Sequence, residues 1–260
     1  NYSVKAGGKR LRPLFMQEIC RLFTGEVQPV VVPFMAAIEM IHTSSLVHDD
    51  LPCMDNDEYR RGNLTTWKKY GYDMAVLAGD KLFIYAFETA AKAFALTDRA
   101  DLVGKAISIL ANKAGIYGMI GGQSVDVEYT DRPVTKSQLE FIYELKTAAL
   151  LEAAMMIGAV LAGADDNQVK SAEQIAHHVG MAFQIRDDIL DVISTTEELG
   201  KPVKSDEKNN KTTYVTIYGI DGASKLVEEY SHTAMTLLDQ VCPNASFLKR
   251  LFEYLIVRKK

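Results

Sequence analysis

The sequence predicts an all-α fold, a bundle of roughly ten long helices. Three observations carry that prediction. Apolar residues recur at helical spacing along nearly the whole chain. Breakers are sparse: 17 glycines and 7 prolines in 260 residues lie below average usage. No stretch alternates over several residues as a half-buried strand does. Hydrophobic residues at 48% and charged residues at 24% are ordinary for a globular chain. A chain of this length can bury one sizeable core, so residues 1–260 are read as a single domain.

The elements follow in order. Leu14, Phe15, Ile19 and Leu22 form the first apolar stripe. Val30-Val31-Val32 is short and bracketed by Pro29 and Pro33, which argues against a strand. Phe34, Ile38, Ile41 and Ser45 mark a helix running on to Asp50. Long apolar helices are expected over Ala75–Ala95, Ala106–Met119, Leu139–Leu161 and Ala172–Ile193. The last two span about Gly222–Val241 and Ala245–Val257. Two charged loops interrupt the pattern, Asp55–Asn63 and Thr195–Lys211. The most apolar stretch, Ala148–Ala164, is broken by Glu152 and is short for a membrane span, so it is read as a buried core helix. No secretory signal stands at the start. The chain begins at Asn1 without Met, and residues are expected upstream.

With 29 Lys and Arg against 34 Asp and Glu, the net charge is −5. That balance weighs against nucleic acid as a partner but leaves small anions open to local cationic clusters. Three scattered cysteines, Cys20, Cys53 and Cys242, suggest reduced thiols and a cytoplasmic setting.

Two acidic clusters carry the chemistry. His48-Asp49-Asp50 ends an apolar helix, with Asp55 following after Pro52. Gln184-Ile185-Arg186-Asp187-Asp188 sits within another, with Asp191 one turn beyond Asp187 on the same face. Carboxylates on core helices are costly unless paired or metal-bound. Oxygen-only clusters suit Mg²⁺, which commonly joins one or two carboxylates to substrate phosphates. A single aspartate pair is usually a helix end; two triplets far apart in sequence suggest facing walls of one site. Cations stand beside them. Gly7-Gly8-Lys9-Arg10-Leu11-Arg12-Pro13 opens the chain, Arg60-Arg61-Gly62 follows the first cluster, and Lys146, Lys201 and Lys211 lie further on. Arginine is the natural bidentate partner of phosphate oxygens.

Together with Gly121-Gly122-Gln123-x-x-Asp126, Lys146-Thr147 and Phe183-Gln184, these motifs, in this order, resemble the trans-prenyl diphosphate synthases, the farnesyl and geranylgeranyl diphosphate synthase family. The resemblance runs over essentially the whole chain. It implies an isoprenoid-synthase bundle around a deep central cavity, usually in a homodimer, with the family's first helix expected upstream of Asn1. It also implies head-to-tail condensation of isopentenyl diphosphate with dimethylallyl, geranyl or farnesyl diphosphate. Three Mg²⁺ ions would bridge the aspartates to the allylic diphosphate, with Asp49, Asp55 and Asp187 as ligands and Asp50, Asp188 and Asp191 in support. Arg60, Lys146 and Lys201 would grip the allylic diphosphate, with Lys211 adding substrate-binding charge. Lys9, Arg12, His42 and Arg61 would hold isopentenyl diphosphate. Thr147 and Gln184 would line the reaction centre.

A lone His on an apolar helix is usually a satisfied core residue; the resemblance gives His42 its substrate role, and no role falls to His48, His177, His178 or His232. In this family a bulky aromatic just before the first acidic motif stops chain growth early. Ser44 and Ser45 leave room, which favours the twenty-carbon product, while the Pro52-Cys53 spacer pulls toward a shorter one. Lys204 departs from the family's usual glycine. Two rivals share the fold: a terpene cyclase, against which the basic Gly7–Arg12 segment weighs, and an inactive regulatory subunit, which would generally lack one acidic motif.

Overall fold

A computed structural model describes residues 1–130, 132–194 and 212–258. Lys201, Lys204 and Lys211 therefore lie outside the described residues. The chain is helical almost throughout, as its periodicity requires. In order, α1 is Tyr2–Lys5, α2 Leu11–Thr24, α3 Val32–Asp49, α4 Thr66–Tyr70, α5 Tyr72–Ala91 and α6 Ala100–Ala114. Then follow α7 Met119–Glu128, α8 Lys136–Ile142, α9 Ala149–Leu161, α10 Asp166–Ile193, α11 Tyr214–Val241 and α12 Ser246–Val257.

α9 is the central element. All its residues but Met156 are buried, and it packs on α2, α6 and α10. Gly158 lets α2 approach: a Cβ there would stand 2.5 Å from the Met16 carbonyl oxygen. Glu152, buried within this apolar helix, accepts hydrogen bonds from Lys113 of α6 and from His177 of α10 at 3.2 Å, which meets its desolvation cost. The bond to Glu152 raises the His177 pKa against the effect of burial. Capping boxes at Thr135, Asp165 and Thr213 start α8, α10 and α11 by satisfying first-turn N–H groups.

Three local features depart from the sequence expectation. The helix expected over Ala106–Met119 ends at Ala114, and the chain turns through 115–118 before α7. Gly118 makes that turn possible, because a Cβ there would lie 2.0 Å from the Lys113 carbonyl oxygen. The charged loop after α3 contains a two-stranded hairpin, Tyr59–Arg60 against Asn63–Leu64. Arg61 and Gly62 at its tip both have positive φ, 54° and 75°, the backbone a tight two-residue hairpin needs. Finally, the apolar run 139–161 is continuous but widens into a π-turn at Tyr143–Ala148. Val30 and Val31 fall in a 3₁₀ turn leading into α3, and α11 kinks at Gly219.

The segment Pro29–Asp49 is long and apolar enough by composition to cross a membrane, unlike 148–164. It is 56% buried, and α3 packs along α5 and α2, as a core helix does.

Candidate active site

A cavity of about 1290 Å³ opens between α3, α5, α7, α10 and the N-terminal segment. Most of its polar lining comes from the motifs noted above, and Leu46, Phe83, Ile84, Met119, Ile120 and Leu150 supply apolar wall.

On one wall, Asp49 ends α3 and lines the cavity. Gln123 of α7 donates to its Oδ1 at 2.7 Å. Asp50, the next residue, turns away from the cavity and is buried. Arg60 of the hairpin pairs with it at 2.6 Å through both Nε and an Nη. Burial pushes the Asp50 carboxyl up to about 6 despite that pairing. Its bonds to Asp50 outweigh burial at Arg60 and raise the guanidinium pKa. Asp55 lies in the turn beyond, its N–H bonded to the Asp49 carbonyl oxygen at 2.9 Å, and it does not line the cavity.

On the facing wall, Asp187 of α10 lines the cavity and accepts from Arg258 at 2.6 Å. Arg258 comes from the far end of the chain. Its side chain is fully buried, stacks over Phe183 at 3.7 Å and donates to the Phe183 carbonyl oxygen at 3.0 Å. Asp188 is turned inward and accepts from the Tyr143 hydroxyl at 2.7 Å and the Tyr214 N–H at 3.1 Å. Asp191 is buried, and neither it nor Asp188 lines the cavity. Thus Asp49 and Asp187 face the cavity, while the other four predicted ligands do not. Among the described residues, no three carboxylate, His or Cys side chains converge as a preformed metal site.

The π-turn presents Lys146 and Thr147 between these walls. Lys146 pairs with Asp126 of α7 at 2.5 Å, and Thr147 donates to the Gln184 side-chain oxygen at 2.9 Å. π-turns inside α-helices recur at functional sites because they re-aim side chains. Gly122 allows the close approach, since a Cβ there would sit 2.4 Å from the Lys146 backbone nitrogen.

The N-terminal segment and hairpin form a cationic corner with Lys9, Arg10, Arg12, His42, Arg60 and Arg61 on the cavity. Glu39 holds Arg10, and Arg61 donates to the Gly7 carbonyl oxygen. Gly8 makes room for Arg61: a Cβ would meet its guanidinium at 2.6 Å. Burial lowers the Arg12 pKa to about 10, with Glu39 opposing and Arg61 adding. Burial first, and then the surrounding arginines, hold His42 well below the usual histidine range, so its ring is neutral. Such a concentration of cations on one corner of the cavity calls for a polyanionic guest.

The polyprenyl synthetase family model matches residues 1–243. The chain belongs to the polyprenyl synthetase family. Its relatives make it a prenyltransferase acting in trans-prenyl chain elongation. A farnesyl diphosphate synthase of Geobacillus stearothermophilus is 41% identical over 257 residues, covering 99% of this chain and 86% of that one. A geranylgeranyl diphosphate synthase of Cyanophora paradoxa is 45% identical over 228 residues, 87% and 75% of the two chains. The solved geranyltransferase of Helicobacter pylori, complexed with magnesium and isoprenyl diphosphate, superposes with a TM-score of 0.85. It is 33% identical, over 98% of this chain and 84% of that one.

In this synthetase the sequence motifs lead to most of the cavity's polar residues. Glu39, Asp80 and Ser124 line the cavity and escape them, as do Arg258 and Tyr143, which bond Asp187 and Asp188 from outside the cavity lining. Glu39 sits one turn before His42 and reads as an ordinary helix carboxylate; Arg258 sits in a terminal basic run that reads as solvated. Gln123 and Asp126 belong to a quoted motif, but only their bonds to Asp49 and Lys146 reveal what they do.

Proposed function

We propose that the chain catalyses Mg²⁺-dependent head-to-tail (1′–4) condensation of isopentenyl diphosphate with dimethylallyl, geranyl and farnesyl diphosphates. The product is all-trans farnesyl or geranylgeranyl diphosphate, with Ser44 and Ser45 on the cavity wall favouring the longer one. The observation that carries this reading is the juxtaposition of one aspartate from each motif, Asp49 and Asp187, with a cationic corner and Lys146 around a single cavity.

The donor set fits Mg²⁺. Both carboxylates are oxygen donors, and Mg²⁺ takes one or two carboxylates and completes its shell with water and phosphate oxygens. We propose three ions, held by Asp49, Asp55 and Asp187 with Asp50, Asp188 and Asp191 in support. Bound Mg²⁺ supplies positive charge where the departing diphosphate gains negative charge.

The reaction breaks the C1–O bond of the allylic substrate and releases diphosphate. A C–C bond forms between that C1 and C4 of isopentenyl diphosphate, and a proton leaves the isopentenyl C2. Lys146 and Arg60, with Lys201, grip the leaving diphosphate; Asp126 and Asp50 hold the first two in place. Lys9, Arg12, Arg61 and neutral His42 hold isopentenyl diphosphate, with Lys211 adding charge. Thr147 and Gln184 flank the cationic carbon. The released diphosphate is the base, consistent with a reaction centre where Thr147 and Gln184 offer no basic group. The apolar walls exclude water that would trap the carbocation.

A homodimer is part of the proposal. Leu77, Ile84, Ile116 and Tyr117 are 61%, 69%, 70% and 71% exposed, an apolar concentration on α5 and the α6–α7 turn of the kind that marks an interface. The three free cysteines suit a reducing, cytoplasmic compartment. The test is incubation of an allylic diphosphate and Mg²⁺ with and without isopentenyl diphosphate. Elongated diphosphate formed only with both substrates is expected. Hydrocarbon from the allylic diphosphate alone would mean a cyclase and refute the proposal.

A further inference from the structure

Asp188 is buried and does not line the main cavity. It lines a second, smaller one of about 110 Å³. Lys146, Thr147 and Gln184 line both, so their side chains form the partition between the two. A chain of hydrogen bonds runs through that partition. The Thr147 hydroxyl donates to Gln184 Oε1 at 2.9 Å. Gln184 Nε2 donates to Asp188 Oδ1, one turn along α10, at 3.4 Å. The Tyr143 hydroxyl and the Tyr214 N–H both donate to the other oxygen, Oδ2, at 2.7 and 3.1 Å.

The direction of this chain is decided at Asp188. A carboxylate only accepts, whereas a primary amide can turn over and a hydroxyl can rotate. The orientation of an amide follows from its partners. With Gln184 reversed, its Oε1 would face Asp188 Oδ1, two acceptors with no proton between them. Nε2 therefore faces Asp188, Oε1 faces Thr147, and the Thr147 hydrogen is committed to Gln184. What Thr147 has left for the main cavity is lone-pair density.

The reaction proposed above places positive charge on the allylic C1, beside Thr147 and Gln184. An oxygen lone pair aimed at that carbon stabilises the charge, and a hydroxyl proton aimed at it does the reverse. Preorganised dipoles act most strongly in a water-excluded site. We infer that Asp188 is a positioning residue: through Gln184 it turns the oxygen of Thr147, not its proton, toward the reacting carbon. Tyr143 and the first N–H of α11 hold the carboxylate in place for this task. The inference rests on the elongation reading.

The test is Asp188→Asn. Because two donors share the Oδ2 position, the introduced amide keeps its oxygen there and turns its NH₂ group to Gln184. Gln184 then answers with Oε1, its Nε2 swings to Thr147, and the Thr147 proton is driven into the cavity. Initial rates are measured with dimethylallyl diphosphate and labelled isopentenyl diphosphate. Saturating Mg²⁺ keeps any weakened metal support out of these rates. kcat is expected to fall about 10²-fold, the scale of losing one preorganised dipole, with KM for both diphosphates little changed. The same substitution is then made in Thr147→Val, which keeps the side-chain shape without the hydroxyl. There it should cost less than about 2-fold, because two changes that act through one group do not add.

A loss that repeats in full in the Thr147→Val background, as one acting through metal or packing would, overturns the inference while elongation stands. So does wild-type kcat in folded Asp188→Asn. Should Asp188→Asn not fold, Tyr143→Phe frees the carboxylate to turn instead. A kcat loss of at least about 2-fold, absent in the Thr147→Val background, is then expected; an equal loss in both backgrounds, or none in either, overturns the inference. A wild-type protein that incorporates no isopentenyl unit overturns the elongation reading itself, and this inference with it.

Discussion

Replacing Gly122 with alanine tests how closely α7 must approach the π-turn. The added Cβ would lie 2.4 Å from the Lys146 backbone nitrogen and 2.8 Å from the Leu145 Cβ. Heavy atoms in contact prefer about 3.5–4.0 Å, so α7 must retreat by roughly 1 Å. Neither obstructing atom sits at the end of a flexible side chain, so rotation relieves nothing. The retreat carries Gln123 away from Asp49 and Asp126 away from Lys146, bonds now at 2.7 and 2.5 Å. A misplacement of about 1 Å costs on the order of 10²-fold in rate. Stability should change much less. Overpacking costs about 1–3 kcal/mol, and the gain in helix propensity from Gly to Ala returns roughly 0.8–1 kcal/mol. For a chain of this size each kcal/mol moves Tm by about 2–4 °C. The assay measures kcat for isopentenyl diphosphate incorporation alongside a thermal melt. The control is Gly104→Ala on α6, where a Cβ meets nothing within 4 Å. The expected outcome is a roughly hundredfold loss of kcat with Tm lowered by a few degrees, and an unaffected control. Wild-type kcat in a folded Gly122→Ala protein would show that α7 does not position the site.

Asp49→Ala and Asp187→Ala should each lower turnover by orders of magnitude while the melting curve stays cooperative; full turnover in either with Mg²⁺ present refutes its metal role. Ser44→Phe puts a ring on the cavity wall, so product should shorten and stability fall by about 1–3 kcal/mol from overpacking, read by product sizing and denaturant titration. His177 has a raised pKa from its bond to Glu152, so its stabilising contribution is complete below the unfolded histidine value of about 6.5 and fades as pH rises through the folded value. His177→Gln should therefore cost more stability at pH 6 than at pH 9; an equal cost at both would remove the ionic account.

Periodicity made the helices legible because an amphipathic stripe depends only on residue type and spacing. It does not report where a helix bends without losing its stripe. The apolar run 106–119 continues through Gly115 and Gly118, yet the chain turns there; the apolar run 139–161 continues through the π-turn. The hairpin was hidden because Arg61, a residue that seldom takes positive φ, sits at its tip. The motifs led to the cavity but not to which aspartates face it. Asp49 and Asp50 are neighbours on one helix end, and only the hairpin's return to α3 hands Asp50 to Arg60. Asp188 is likewise taken by Tyr143 and Tyr214 from elsewhere in the chain. Arg258 reaches Asp187 because α12 returns the chain terminus to α10, a tertiary contact that no local pattern encodes.

In the proposed reaction Asp49 and Asp187, from opposite walls, together hold the metal–diphosphate unit. Crystals grown with Mn²⁺ and an unreactive allylic thiolodiphosphate, measured for anomalous scattering, test it directly. Metal peaks bonded to Asp49 and to Asp187 are expected, both touching the diphosphate, with Arg258 displaced from Asp187. A diphosphate bound in the cavity with metal on neither aspartate would contradict it.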